Sequence, residues 1–396
     1  MSNRLKLFRE RMAAFEGAAD PSAAIESGYY VHAPGKLLVD EISARIALRP
    51  SSSHLLLGGI GSGKTTQLLV ACQQMNEIED IHAIYVDVSQ YTDIYKITSG
   101  VLTTIAGLKL AKILQDSEDE NVQKSIREIH EIAYGHEEKI LINLPFKTVK
   151  HKGIITEQSE LYGINQRLLK TFVNLLKAAS VKYGNIVFLL DGLDRLYDSK
   201  TFIQLVSTDV KAISSEGTGI VLVGPLTIIY GDYRDTVNEQ LNYIGYQPFF
   251  DVENDSESYN FFKKIIEART RTSKNFIEES AIQSLIYFSG GVLRDFINLI
   301  QSSIEETYLS GDDQVTEKQI SKAVESFSIS QLRGVSDTEL SILEQTFTTE
   351  TFIPRTEEDL RLLVRKLILE YRTPKLRYSV HPLIKPLLKQ ILVVKS

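Results

Sequence analysis

The chain of 396 residues contains one cysteine and no tryptophan. A single thiol, Cys72, excludes an intrachain disulfide framework and the cysteine-rich zinc modules. It fits a reducing interior, so the expected location is cytoplasmic. Cys72 falls in the apolar pattern of a predicted helix and reads as packing. The seven histidines (His32, His54, His82, His130, His136, His151, His381) are scattered, with no His-x-x-x-His pair to bind a transition metal. No apolar run approaches a membrane span, and the first ten residues lack the apolar core of a signal peptide, so no membrane association is expected. There is no internal repeat, no long low-complexity tract and no evident nuclease or protease centre. What is present is ordinary for a globular protein, 43% hydrophobic and 24% charged, at a length that implies two or three domains.

Net charge is −7 and uneven. From Pro354 to Ser396 there are ten Lys/Arg against four Asp/Glu, a balance of +6 that leaves −13 for the rest. A basic terminal module on an acidic body suits contact with nucleic acid, or docking on the acidic body of a neighbouring subunit.

The most specific segment is Gly58-Gly59-Ile60-Gly61-Ser62-Gly63-Lys64-Thr65. It has the P-loop spacing, follows the strand-like run His54–Leu57 and precedes the helix-forming run Thr65–Cys72. Its glycines let several N–H groups point at phosphate oxygens, and the helix beyond adds the positive end of its dipole. Lys64 is expected on the β- and γ-phosphates and the Thr65 hydroxyl on Mg²⁺. Gly58, Gly59, Ile60, Gly61, Ser62, Gly63, Lys64, Thr65 and Thr66 form the expected nucleotide-binding set. The guanine-reading Asn-Lys-x-Asp motif is absent, which favours ATP over GTP.

Around this loop the pattern alternates between strands and helices. Apolar positions at Leu5, Phe8, Met12 and Phe15 predict a helix over 3–18, and Lys36–Leu48 predicts a second, ended by Pro50. Strands are expected at Ala83–Val88, Asn185–Asp191, Gly219–Val223 and Tyr246–Val252 beside the P-loop strand. Residues 95–180 read mostly as inserted helices, with a less regular part near Pro145–Ile155. Strands separated by helices imply a parallel sheet covered on both faces. Beyond Asn254 the pattern is helical (Ser256–Ala268, Ile277–Phe288, Val292–Tyr308, Thr316–Phe327), with a joint at Ser330–Ser336. Two further helices, Asp337–Thr346 and Glu357–Tyr371, a strand at Leu376–Val380 and a last helix complete the chain.

Two more motifs carry chemistry. Asp191 ends a continuous apolar strand, as a Walker B aspartate does, and is expected to hold Mg²⁺ through water opposite Thr65. The next residue is Gly192, where many such ATPases carry the glutamate that polarises the attacking water. Asp194 is the nearest substitute, either as a base through water or as an orienting group. In Ser289-Gly290-Gly291-Val292-Leu293-Arg294-Asp295 a glycine pair introduces a helix whose first turn carries an arginine able to reach phosphates. The alternative is a surface arginine paired with Asp295 or Glu305. This stretch lies about 100 residues after Asp191, an order that excludes the ABC-transporter signature.

Walker A, hydrophobic-Asp-Gly-Leu-Asp, a further strand, a helical region with Gly-Gly-Val-Leu-Arg and a terminal helix–helix–strand module resemble the AAA+ ATPases. The initiator-type and STAND-like branches, commonly followed by a winged helix, are the nearest in look. The resemblance covers about residues 50–330, and the last sixty only by pattern. It implies an α/β fold: a parallel-sheet P-loop core with helical insertions, an all-helical lid and a small winged-helix-like domain. The expected division is 1–50 (N-terminal helical segment), 51–253 (core), 254–332 (lid) and 333–396 (terminal domain). Arg294 matches the sensor-2 arginine. The sensor-1 position holds Gly224-Pro225, with Thr227 the first side chain able to hydrogen-bond, a departure from the family. Arg234 is the one arginine in the interval where an arginine finger would complete a neighbour's site.

The implied activity is an ATPase that uses Mg-ATP to switch conformation or assembly, as a homo-oligomer formed on ATP binding. Two partner classes stay open. A DNA-associated loader would contact DNA through Arg361, Arg365 and Arg377 of the terminal module. A slow signalling switch, for example in bacterial defence, would recruit or restrain a protein effector and have little DNA affinity. Gly192 and the weak sensor 1 lean toward the switch, and the +6 module toward DNA.

Overall fold

The computed structural model describes residues 3–16, 21–35, 38–135, 163–196, 198–230, 234–271 and 275–395. The irregular part expected near Pro145–Ile155 lies outside them. The chain forms two compact units.

The first unit, residues 38–57 and 67–246, is built on a five-stranded sheet. Its strands are β1 (Ser53–Gly58), β2 (Ile81–Asp87), β3 (Asn185–Asp191), β4 (Gly219–Val223) and β5 (Tyr243–Gln247), in the order β2-β3-β4-β1-β5. β1, β4, β3 and β2 run parallel, with Leu56 opposite Val223 and Asp87 opposite Asp191. Their C-terminal ends therefore open on one edge, where ligands of open α/β sheets bind. β1 and β4 are buried throughout and β3 at all but its first residue, because unbroken Leu/Ile/Val runs suit a sheet covered on both faces. The inserted helices supply a cover: Leu102, Ile105 and Leu110 of Val101–Ile113 and Phe172 and Leu175 of Gln166–Tyr183 are fully buried in the core with Phe188 and Leu190.

Helix Val101–Ile113 starts at Gly100, which has no side chain to cap it. Buried Asp209 does so from another segment, accepting from Gly100 N (2.8 Å), Thr103 N (2.9 Å) and Thr103 Oγ1 (2.9 Å). At the opposite end of β1, His54 is 2% exposed, with Nε2 2.7 Å from Ser52 Oγ and its ring stacked on Tyr243. Burial, and then the charge of Arg45, pull its pKa down to about 4. The unfolded chain takes up this proton as pH falls below about 6.5, whereas the folded chain refuses it until about pH 4. The stability contributed by neutral His54, about 3 kcal/mol at most, is complete above that upper limit and is lost on acidification across the interval. His54→Phe should flatten this part of the stability–pH curve, read as urea midpoints between pH 7 and 4.5.

The second unit comprises residues 1–37, 58–66 and 247–396. Its core joins Phe8 and Phe15 of the N-terminal segment to Phe262, Leu285, Phe296 and Ile300 of the helices Ser256–Arg269, Glu279–Ser289 and Leu293–Ser310. Arg4, on helix Asn3–Ala13, donates to Thr307 O (3.2 Å), Tyr308 O (3.0 Å) and Asp312 O (2.7 Å), closing the C-terminal end of Leu293–Ser310. After Glu317–Leu332 come Asp337–Thr349, Glu357–Val364, the hairpin β6 (Ile368–Tyr371) and β7 (Arg377–Val380), and Lys385–Lys395.

Several boundaries differ from those expected, and the N-terminal helix ends at Ala13 rather than near residue 18. The fifth strand is Tyr243–Gln247 rather than Tyr246–Val252, because Pro248 offers no N–H to a ladder and Phe249 is buried in the other unit. The second terminal helix stops at Val364 and Ile368–Tyr371 is a strand. Lys366 there has φ +62°, and Lys366 N and Leu367 N bond back to Leu363 O (3.0 Å) and Leu362 O (2.9 Å), a Schellman end. The joint is shorter than Ser330–Ser336, since Glu317–Leu332 continues into it.

Candidate active site

The loop after β1 turns through Ile60–Gly63 into helix Lys64–Asn76, whose first N–H groups have no intrahelical partner. Gly61 has φ +90°, and a Cβ there would lie 2.9 Å from Arg294 Cβ and 3.1 Å from Val292 Cγ1. Its carbonyl accepts from Arg294 N at 3.3 Å. The turn Gly290–Arg294 thus lies directly on the loop, with Leu293 against Gly63. Lys64 is 4% exposed and donates to Gly58 O and Gly59 O, both at 2.9 Å. Ser62 Oγ is buried and has no hydrogen-bond partner among the described residues. A left-handed glycine bend, a buried ammonium and an orphan hydroxyl fit a chain of phosphates, which supplies the acceptors these donors want. Thr65, Thr66 and Ile60 are half-buried on the same segment.

The turn that carries Arg294 is held from its other side. Tyr371 Oη donates to Gly290 O (2.8 Å) and Phe250 N to Gly291 O (3.3 Å). Asp295 is gripped on both oxygens by Lys366 Nζ, at 2.6 and 2.7 Å, and lies 3.3 Å from His381 Nε2. Because Leu383 N donates to His381 Nδ1 (3.1 Å), Nε2 carries the ring proton and donates to Asp295. These donors hold the Asp295 carboxyl below its ordinary range despite burial. Asp295 is therefore spent on Lys366 and His381, and the guanidinium of Arg294 pairs with neither Asp295 nor Glu305 among the described residues.

In the sheet unit, Asp191 stands at the C-terminal end of β3, 5% exposed. Tyr85 Oη donates to its Oδ2 (2.9 Å) and Gly192 N to its Oδ1 (2.7 Å). Burial and the neighbouring Asp191 push the Tyr85 phenol up, so it stays a donor at any working pH. Asp194 is half-buried in the short turn Leu193–Arg195. Thr227 Oγ1 is 3.0 Å from Ser199 Oγ. Arg234 is exposed at the first turn of helix Arg234–Gln240.

The three arginines read as a DNA-facing set all have partners inside the chain. Arg377 forms a two-point pair with Asp251 and reaches Glu253 at 3.1 Å. Arg365 donates to Gln331 O and Arg333 O at 2.9 Å, and Arg361 lies 3.2 Å from Glu339 and 3.5 Å from Glu358. Sequence reading missed Tyr85 and Asp87. Their signal was a strand ending in Asp, Ala83–Asp87, at the same offset as Val187–Asp191, which parallel pairing sets side by side.

Among the described residues no helix is long and apolar enough to cross a membrane. No family model and no curated protein matches the chain. Solved structures similar to it include the Orc1 protein of Aeropyrum pernix in complex with DNA, with 12% identity over 90% of this chain and 92% of that one and a TM-score of 0.47. Cdc6p of Pyrobaculum aerophilum has 14% identity over 93% and 98%, TM-score 0.44. A Walker-type ATPase of Pyrococcus abyssi has 18% identity over 89% and 94%, TM-score 0.47. By its own strand order, its glycine loop between β1 and a helix, and the helical region that follows, the chain has a parallel-sheet α/β fold with a P-loop-type turn after β1.

Proposed function

We propose that the chain is an AAA+-type ATPase that binds and hydrolyses Mg-ATP to switch its conformation or assembly on a partner. The observation that carries this reading is the loop 58–66, with buried Lys64, the orphan Ser62 hydroxyl and the helix N-terminus together. Lys64 and the loop amides bind the phosphate tail, and Thr65 and Asp191 hold Mg²⁺. The metal, when bound, neutralises charge on the phosphate oxygens. Arg294 stands on the turn that touches Gly61, so its guanidinium couples the helical lid to the terminal phosphate. Asp194 lies in the loop that follows Asp191 and helps orient water. Arg234, exposed on its helix, completes the site of a neighbouring copy in a homo-oligomer formed on ATP binding.

Of the two partner classes, a cytoplasmic switch acting on a protein effector is favoured over a DNA loader. Arg361 and Arg377 are paired with carboxylates of their own chain and Arg365 donates to its backbone carbonyls, which ties all three side chains down within the chain. Mass measurement with ATP, with ADP and with Lys64→Ala, each with and without duplex DNA, tests this. ATP-dependent assembly lost in Lys64→Ala and indifferent to DNA is expected. A monomer under every condition overturns the oligomeric switch, and salt-sensitive DNA binding lost on joint neutralisation of the three arginines restores the loader.

A further inference from the structure

Gly192 occupies the position where a glutamate would polarise the attacking water. Its φ is +92°, a region that favours glycine, and a Cβ there would stand 3.1 Å from Asp87 Oδ1 and 3.6 Å from Ser89 N. The room a side chain at 192 would use is therefore taken by a carboxylate from the neighbouring strand. Asp87 ends β2 directly opposite Asp191 in the parallel register. Its Oδ1 accepts from Ser89 N (3.0 Å) and Ser89 Oγ (2.6 Å), while its Oδ2 has a single long contact, Gln90 Nε2 at 3.4 Å. It is half-buried, and no lysine or arginine pairs with it among the described residues. Two residues earlier on the same face of β2, Tyr85 fixes Asp191. One strand thus presents both the group that orients the metal-binding aspartate and a carboxylate with one oxygen anchored and the other little engaged.

We infer that Asp87 is the catalytic residue that accepts the proton of the attacking water, supplying from β2 the function that position 192 lacks. This rests on the ATPase reading. The water oxygen forms a bond to the γ-phosphorus as the bond from that phosphorus to the β–γ bridging oxygen breaks. ADP leaves with the bridging oxygen and its electron pair. The water proton passes to Asp87 Oδ2 and then to solvent or to the phosphate product, and nothing is oxidised or reduced. Asp194, in its turn one step along the chain, orients rather than accepts.

The test compares the intact chain with Asp87→Asn, Asp194→Asn and Ser89→Ala. It reads single-turnover hydrolysis, ATP affinity by calorimetry, and the nucleotide retained on the purified protein by chromatography. Asp87→Asn is expected to lower the rate at least ~100-fold, with ATP affinity within about 3-fold, and to retain ATP where the intact chain holds ADP. Asp194→Asn should keep the rate within ~10-fold. Ser89→Ala, which only loosens the carboxylate, should slow hydrolysis about 3- to 10-fold and serves if Asp87→Asn does not fold. Wild-type rates in both Asp87→Asn and Ser89→Ala, loss of hydrolysis in Asp194→Asn alone, or an intact chain that binds ATP without cleaving it overturn the assignment. An intact chain that binds no ATP fails at the earlier step, the nucleotide reading itself.

Discussion

Lys366→Met is expected to lower the stability of its unit by about 3–5 kcal/mol, the cost of stranding a buried carboxylate. Asp295 is 9% exposed and Lys366 12%, so neither charge can fall back on water. His381 donates one hydrogen bond and does not supply a full charge, because burial holds its pKa down. A cavity-neutral pair, Asp295→Leu with Lys366→Met, should recover most of the loss, since two desolvated charges are then replaced by packing. Lys366 also sits at φ +62°, where glycine is the usual residue. Lys366→Gly should therefore be about 1 kcal/mol less damaging than Lys366→Met, by relief of the backbone. With no tryptophan in the chain, denaturant unfolding is best followed by far-ultraviolet circular dichroism. Equal stability of Lys366→Met and the intact chain would show that the pair holds nothing together.

The same cluster marks how far the sequence could be read. The four parallel strands were legible because each is a short apolar stretch rich in β-branched, leucine or aromatic residues and bounded by turn residues. That residues 58–63 turn between a strand and a helix, and that Asp191 ends a strand, was legible because the residue types and their spacing leave few alternatives. Leu367–Leu369 was not, since a short apolar run serves a helix or a buried strand equally, and Lys366, where the helix turns back, is held by Asp295, 71 residues away. The N-terminal helix read correctly as amphipathic, but nothing local announces that Phe8 and Arg4 close the far end of Leu293–Ser310. Arg377 read as a DNA-contacting cation on the strand Leu376–Val380; its partners Asp251 and Glu253 lie 126 and 124 residues away. Asp87 escaped notice for a similar reason, because its relation to Gly192 exists only across two strands.

Lys64→Ala is expected to weaken ATP binding at least ~100-fold, about 3 kcal/mol, by removing the one ammonium buried in the loop. The loss should be larger for ATP than for ADP, and larger for ADP than for AMP, because the side chain serves the β- and γ-phosphates. Ser62→Ala should cost less, about 1 kcal/mol, the scale of a single neutral donor. Lys64 donates to Gly58 O and Gly59 O of its own loop, so the variant's fold is checked separately by far-ultraviolet circular dichroism. Titration calorimetry of Mg-ATP into the intact chain and into Lys64→Ala is the most direct measurement. Saturable heat from the intact chain that the variant loses at the same concentrations is the expected result. An intact chain that gives no heat with any adenine or guanine nucleotide, or a variant that binds as tightly as the original, would contradict a phosphate grip at residues 58–66.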